Sequence, residues 1–232
     1  MSAKKQETTQ VITIKPVTIQ RAKIAIVGDS PLIVHAWSEK AKKEMLDKEQ
    51  KKQVDKKAKP ARDPFSEFFD ALYWLTPKPD EKTPEAFEEA IANGAKFGFP
   101  TTAIKQAALA ACYRAGVIPN QAGMRSAFRL RAAEGINLGC GSELAVIETD
   151  EPPCLREDMV KLGGIGNPPD LRYRPEFKNW KIWLNIDLID VGTFTMESII
   201  NAINLGGFMN GIGEWRMERD GDFGHFHVEM EG

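Results

Sequence analysis

Residues 181–188 read Lys181-Ile182-Trp183-Leu184-Asn185-Ile186-Asp187-Leu188. Ile182, Leu184, Ile186 and Leu188 alternate with Trp183, Asn185 and Asp187, the period-two pattern of a strand with one buried face. Thr195 follows as a helix cap, and Met196, Ile199, Ile200 and Ile203 recur at helical spacing. That helix runs into the glycine-rich LGGFMNGIGEWR of residues 205–216. FGHFHVEM (223–230) then alternates Phe226, Val228 and Met230 against His225 and His227. Strand, helix, glycine-rich loop, strand is one βαβ half of an α+β sandwich, so this end of the chain decides the fold class.

Working outward, VITIKPV (11–17) and AKIAIV (22–27) are rich in β-branched residues, with Pro16 forcing an edge or a break. Gly28 to Pro31 reads as a turn. His35 to Lys59 reads as a long polar helix whose apolar stripe (Trp37, Ala41, Met45, Leu46) fades early, so it projects from the body. Asp63-Pro64 caps a second helix carrying Phe65, Phe68, Phe69 and Leu72, and Thr83-Pro84 caps a third with Phe87, Ala90 and Ile91, stopped at Gly94. Thr101 is expected to cap a fourth, whose small-residue stripe (Ile104, Ala108, Ala111, Cys112) would let it approach a sheet closely. Residues 117–175 read as extended or loop: AFRLR, ELAVIE and LRYRP are strand-like, and EPPC and GNPPD are breakers. The expected organisation is a single domain over 1–232, with 36–60 as a projecting basic helix and 117–175 as a Gly/Pro-rich extended insertion.

The 232 residues are 42% hydrophobic and 28% charged, which excludes wholesale disorder and a fibrous repeat. The apolar runs are too short for a bilayer span, and the first ten residues hold no apolar leader core, so no membrane partner is expected. Three cysteines without C-x-x-C spacing suit reduced thiols in a cytoplasmic setting. The formal charge of −2 conceals a separation of signs. Residues 1–62 hold 15 Lys/Arg against 7 Asp/Glu, a net of +8, and residues 63–232 hold 16 against 26, a net of −10. Such a molecule can present a basic face and dock head to tail on its own copies.

The basic helix contributes Lys40, Lys43, Lys51 and Lys52. Arg114, Arg125, Arg129 and Arg131 follow one another with no acid between them. Arg129/Arg131 and Arg172/Arg174 each fall on one side of a strand, and paired guanidiniums on a strand face grip phosphates. Phe128, Tyr173, Trp183 and Trp215 are candidate base-stacking aromatics, with core packing the favoured reading for Phe128. The run GGFMNGIGEWR fails the context of a dinucleotide loop, because its glycines are expected after a helix. They form either a tight turn or a close backbone approach to a phosphodiester chain with Arg216 beside it. His225 and His227 share a strand face without further ligands at metal spacing, so no metal or other cofactor is expected. Asp29 and His35 flank one turn and offer acid–base chemistry or a purely structural turn.

Three segments, IVGDSPLIVH (26–35), GFPTTAIKQAALAAC (98–112) and GGFMNGIGEWRMERDGDFGHFHV (206–228), resemble in layout the RAMP proteins, the Cas7-like, Cas5-like and Cas6-like group, in a phage- or prophage-encoded form. Where that group has Gly-Ser-Ser, this chain has the helix start Phe99-Pro100-Thr101-Thr102-Ala103-Ile104-Lys105. The resemblance implies an RRM-like (ferredoxin-like) antiparallel sheet with helices on one face and inserted finger- and thumb-like elements. Residues 36–60 would be a finger, and 117–175 would include the thumb. It adds Lys105 to the nucleic-acid-binding set of Lys40, Lys43, Lys51, Lys52, Arg125, Arg129, Arg131, Arg172, Arg174, Trp215 and Arg216. The expected function is non-enzymatic, sequence-tolerant binding of single-stranded nucleic acid by a homo-oligomer assembling side by side. DNA and RNA offer the same phosphates and π-faces, so the expectation covers both. Two alternatives stand beside it: a Cas6-like metal-independent RNase using His35, and a structural assembly protein without nucleic acid. A Cas7-like cleavage aspartate would map only to Asp29.

Overall fold

A computed structural model describes residues 16–37, 39–50, 62–137, 143–161, 169–190 and 192–230. The chain is α+β with antiparallel sheets. In order, the elements are β1 (Thr18–Gly28), β2 (Leu32–Ile33), α1 (Glu39–Glu49), α2 (Pro64–Asp70), α3 (Pro84–Ala92), β3 (Gly98–Pro100), α4 (Thr101–Arg114) and α5 (Gln121–Ala127). There follow β4 (Phe128–Ala132), β5 (Gly135–Asn137), β6 (Glu143–Val146), β7 (Cys154–Lys161), β8 (Pro169–Phe177), β9 (Lys181–Asp190), α6 (Met196–Met209) and β10 (Phe226–Met230).

The main sheet has the strand order β10-β1-β9-β4, and every pairing in it is antiparallel. Two smaller sheets, β2-β8-β7 and β3-β6-β5, flank it. Alternation decides which face of the main sheet is buried. Ile24 and Ile26 of β1, Ile182, Leu184, Ile186 and Leu188 of β9, and Phe128 and Leu130 of β4 join Ile104 and Ala108 of α4 and Ile199 and Ile203 of α6 in one core. A second part of that core is aromatic: Phe68 meets Phe87 at 5.3 Å between ring centroids, and Trp74 meets Phe97 at 4.9 Å.

Asp63 and Thr83 cap α2 and α3 as expected, each accepting a backbone N–H. Four local readings change. At α4 the cap position is Pro100, which has no side-chain acceptor, and Thr101 is already inside the helix and buried. The small-residue stripe of α4 serves a helix–helix contact, since a β-carbon at Gly206 would lie 2.7 Å from the Ala108 nitrogen. Gly206 and Gly207 lie within α6, not after it. Residues 117–175 are not one extended insertion: Asn120 caps the short α5 by accepting from Ala122 N–H (3.0 Å), and β4 is an integral edge strand of the main sheet. Of the long basic helix, α1 covers Glu39–Glu49, and residues 51–61 lie outside the described residues. No helix among the described residues is long and apolar enough to cross a membrane.

Candidate functional site

The register of the main sheet places outward side chains in rows across its open face. Arg21, Asp187 and Arg129 form one row, and Lys23, Asn185 and Arg131 form the next. Glu229, Ala25 and Trp183 make a third, and His227, Val27 and Lys181 a fourth. Five Lys/Arg side chains stand in these rows with two carboxylates, Asp187 and Glu229, and Glu148 and Asp29 reach Trp183 and His227 from outside the sheet. Asp187 lies between two guanidiniums: Arg131 Nε at 2.8 Å and Arg21 Nε at 3.3 Å. Arg129 is exposed in the register position opposite Asp187, and no ion pair engages it among the described residues.

Trp183 sits half-buried on this face with two lysine ammoniums near its ring. Lys23 Nζ is 4.7 Å and Lys181 Nζ 4.8 Å from its ring centroid, and its indole N–H donates to Glu148 at 3.1 Å. Lys181 also reaches Glu229 at 2.9 Å, and this hydrogen bond and charge hold the Glu229 carboxyl below the ordinary glutamate range. Ammonium groups this close to an indole ring make cation–π contacts with it.

The other expected binding residues scatter. Lys105 is half-buried, and its ammonium donates to the carbonyls of Arg125 and Phe128, both at 2.6 Å. It ties α4 to the α5–β4 junction; burial pulls its pKa down, and Arg125 and Arg129 add to that. Arg125 is exposed and bonds to Gln121. Arg172 and Arg174 stand on β8, in a different sheet from Arg129 and Arg131. Arg172 pairs with Asp170 at 2.8 Å. The Arg174 side chain, expected on an exposed face, is only 9% exposed and lies between Glu214 (3.4 Å) and Asp158 (3.8 Å). Burial pulls its pKa down more than these acids restore it.

Arg216 bonds to Glu218 (2.9 Å) and to the Gly213 carbonyl (2.8 Å). Trp215 beside it has φ +50, a left-handed conformation that costs a non-glycine residue about 1–3 kcal/mol. The glycines of this loop are used internally: a β-carbon at Gly213 would lie 2.3 Å from the Ile33 carbonyl oxygen, and one at Gly224 would lie 1.8 Å from that of Ile212. Their close approach is to the protein's own backbone. Lys43 is exposed on α1, Lys40 lies on the same helix, and Lys51 and Lys52 fall outside the described residues. Phe128 is core, and Tyr173 is half-buried with Arg62 above its ring at 5.8 Å.

The turn residues pair differently from the expectation. Asp29 meets His227 at 2.6 Å, while His35 faces Glu214 at 3.9 Å. Burial lowers the His35 pKa, with Arg174 and Arg172 adding to it and Glu214 opposing. His225 faces Asp222 at 3.3 Å, so the two C-terminal histidines serve different acids. Arg21, Lys23 and Lys181 were the members of the open face missed from sequence. Alternation with Ala22, Ile24 and Ile182 carries the signal that finds them. The chain matches no protein-family model and no curated protein.

Proposed function

We propose that this chain binds single-stranded nucleic acid, DNA or RNA, across the open face of the main sheet, without sequence preference and without cutting it. The observation that carries the reading is Trp183 on that face with Lys23 and Lys181 beside it, and Arg21, Arg129 and Arg131 in the neighbouring rows. The finer fold reading is RRM-like. Taking β1, α4, β4, β9, α6 and β10 as a β-α-β-β-α-β unit, the sheet order becomes 4-1-3-2 with both helices on one face, as in the ferredoxin-like motif. RRM-type sheets stack bases on the face away from their helices. The remaining elements would then be insertions of the Cas7-like kind, and copies would assemble side by side on the strand.

Binding of a labelled dT20 or rU20, followed by fluorescence anisotropy across a salt series, tests the reading. The log–log slope should be steep, at about −0.7 per phosphate neutralised. The double variant Arg129→Ala/Arg131→Ala should be shallower by about 1.4, two contacts' worth. A flat response in the parent protein contradicts the proposal. So does cleavage of either strand that is lost in His35→Ala, which favours the RNase.

A further inference from the structure

Away from the open sheet face, a cavity of about 410 Å3 lies between the β7–β8 hairpin and the loop that follows α6. Val160, Arg174, Glu214, Trp215, Arg216 and Arg219 line it. Its walls hold two buried donors without a hydrogen-bond partner, Nε of Arg174 and Nε1 of Trp215. Protein interiors rarely leave such donors unmatched, so each marks a place where an acceptor belongs. The Arg174 side chain is more than nine-tenths buried, held by two acids at distances longer than a charge-assisted hydrogen bond. Arg219 is exposed at the rim and forms no ion pair among the described residues. Three arginines and Trp215 therefore line the space with one carboxylate, Glu214, while Asp158 and Glu218 reach Arg174 and Arg216 from outside the lining.

The geometry points to a phosphate monoester as the ligand of this cavity. Guanidinium forks match phosphate oxygens, and a terminal phosphate offers them three oxygens where a carboxylate offers two. The acid in the wall favours a monoester over a diester. A monoester's monoanion keeps a P–OH that can donate to Glu214, whereas a diester within a strand has no proton to give and would meet that carboxylate with repulsion. The volume falls within the roughly 300–1,000 Å3 of small-molecule pockets, so it accepts a phosphate with a nucleoside attached. This site does not depend on the open sheet face. The ligand has two possible sources, a free mononucleotide or the 5′-terminal phosphate of a strand.

Isothermal titration of the full chain with inorganic phosphate, adenosine 5′-monophosphate and adenosine tests the inference. Phosphate and the nucleotide should bind saturably and adenosine should not. Arg219→Ala and Trp215→Phe, which alter a rim residue and a single N–H, should each weaken nucleotide binding about tenfold, the worth of one charge-assisted hydrogen bond. Arg174→Gln should abolish it, with far-ultraviolet circular dichroism confirming the fold. A dT20 carrying a 5′-phosphate that outcompetes its 5′-hydroxyl form identifies the strand end as the source; equal competition identifies the free nucleotide. No saturable binding by the parent protein, or nucleotide binding by Arg219→Ala and Trp215→Phe as tight as the parent's, overturns the proposal.

Discussion

A β-carbon at position 206 would sit 2.7 Å from the amide nitrogen of Ala108, and one at 207 would sit 2.0 Å from the carbonyl oxygen of Phe226. Glycine inside a helix costs about 0.5–1 kcal/mol relative to alanine, so two in succession need a reason, and close packing supplies it. Gly206→Ala should therefore lower stability by about 1–3 kcal/mol, read as a fall in thermal midpoint. Gly123→Ala in α5, where a β-carbon meets nothing within 4 Å, should be neutral or stabilising. An equal effect at both positions contradicts the packing account. At this scale the sequence was legible for side chains whose environment follows from alternation. Arg129 and Arg131 face outward because Phe128 and Leu130 face inward. Arg174 was not legible, because its burial comes from Glu214, 40 positions away, and from Asp158 on the neighbouring strand.

Among the elements, β9 was legible from its alternation, and α2, α3 and α6 from a helical period with a cap. The two-residue β2 and three-residue β3 were not, since neither is long enough to display any period. The end of α6 was misplaced because consecutive glycines read as a loop when no neighbour is in view. The same logic bears on α1. Met45 and Leu46 are 47% and 51% exposed, and Trp37 just before the helix is 57% exposed. A helix with uncovered apolar residues suits contact with a neighbouring copy. Native mass measurements on dT oligomers of increasing length should show one added subunit per fixed number of nucleotides. Deleting residues 38–60 should remove that growth while the core stays folded. A single bound copy at every length contradicts side-by-side assembly.

Across the whole molecule, the charge is split between a net-positive first 62 residues and a net-negative remainder, yet the open sheet face draws its cations from both parts. Arg21 and Lys23 come from the first, and Arg129, Arg131 and Lys181 from the second. A tally along the chain cannot find such a face; only the order β10-β1-β9-β4 assembles it. The α+β class was legible from the C-terminal strand–helix–strand, whereas the division into three sheets was not, because it depends on pairings between distant short strands. The binding account rests on Trp183. Its replacement by alanine alters a half-buried ring outside the core, so the fold should persist. The most direct measurement is the affinity of Trp183→Ala for a labelled dT20, beside the parent protein at one salt concentration. A loss of about 1–3 kcal/mol, the worth of one stacked base, with an unchanged thermal midpoint is the expected result; unaltered affinity would contradict the open sheet face as the site where the strand binds.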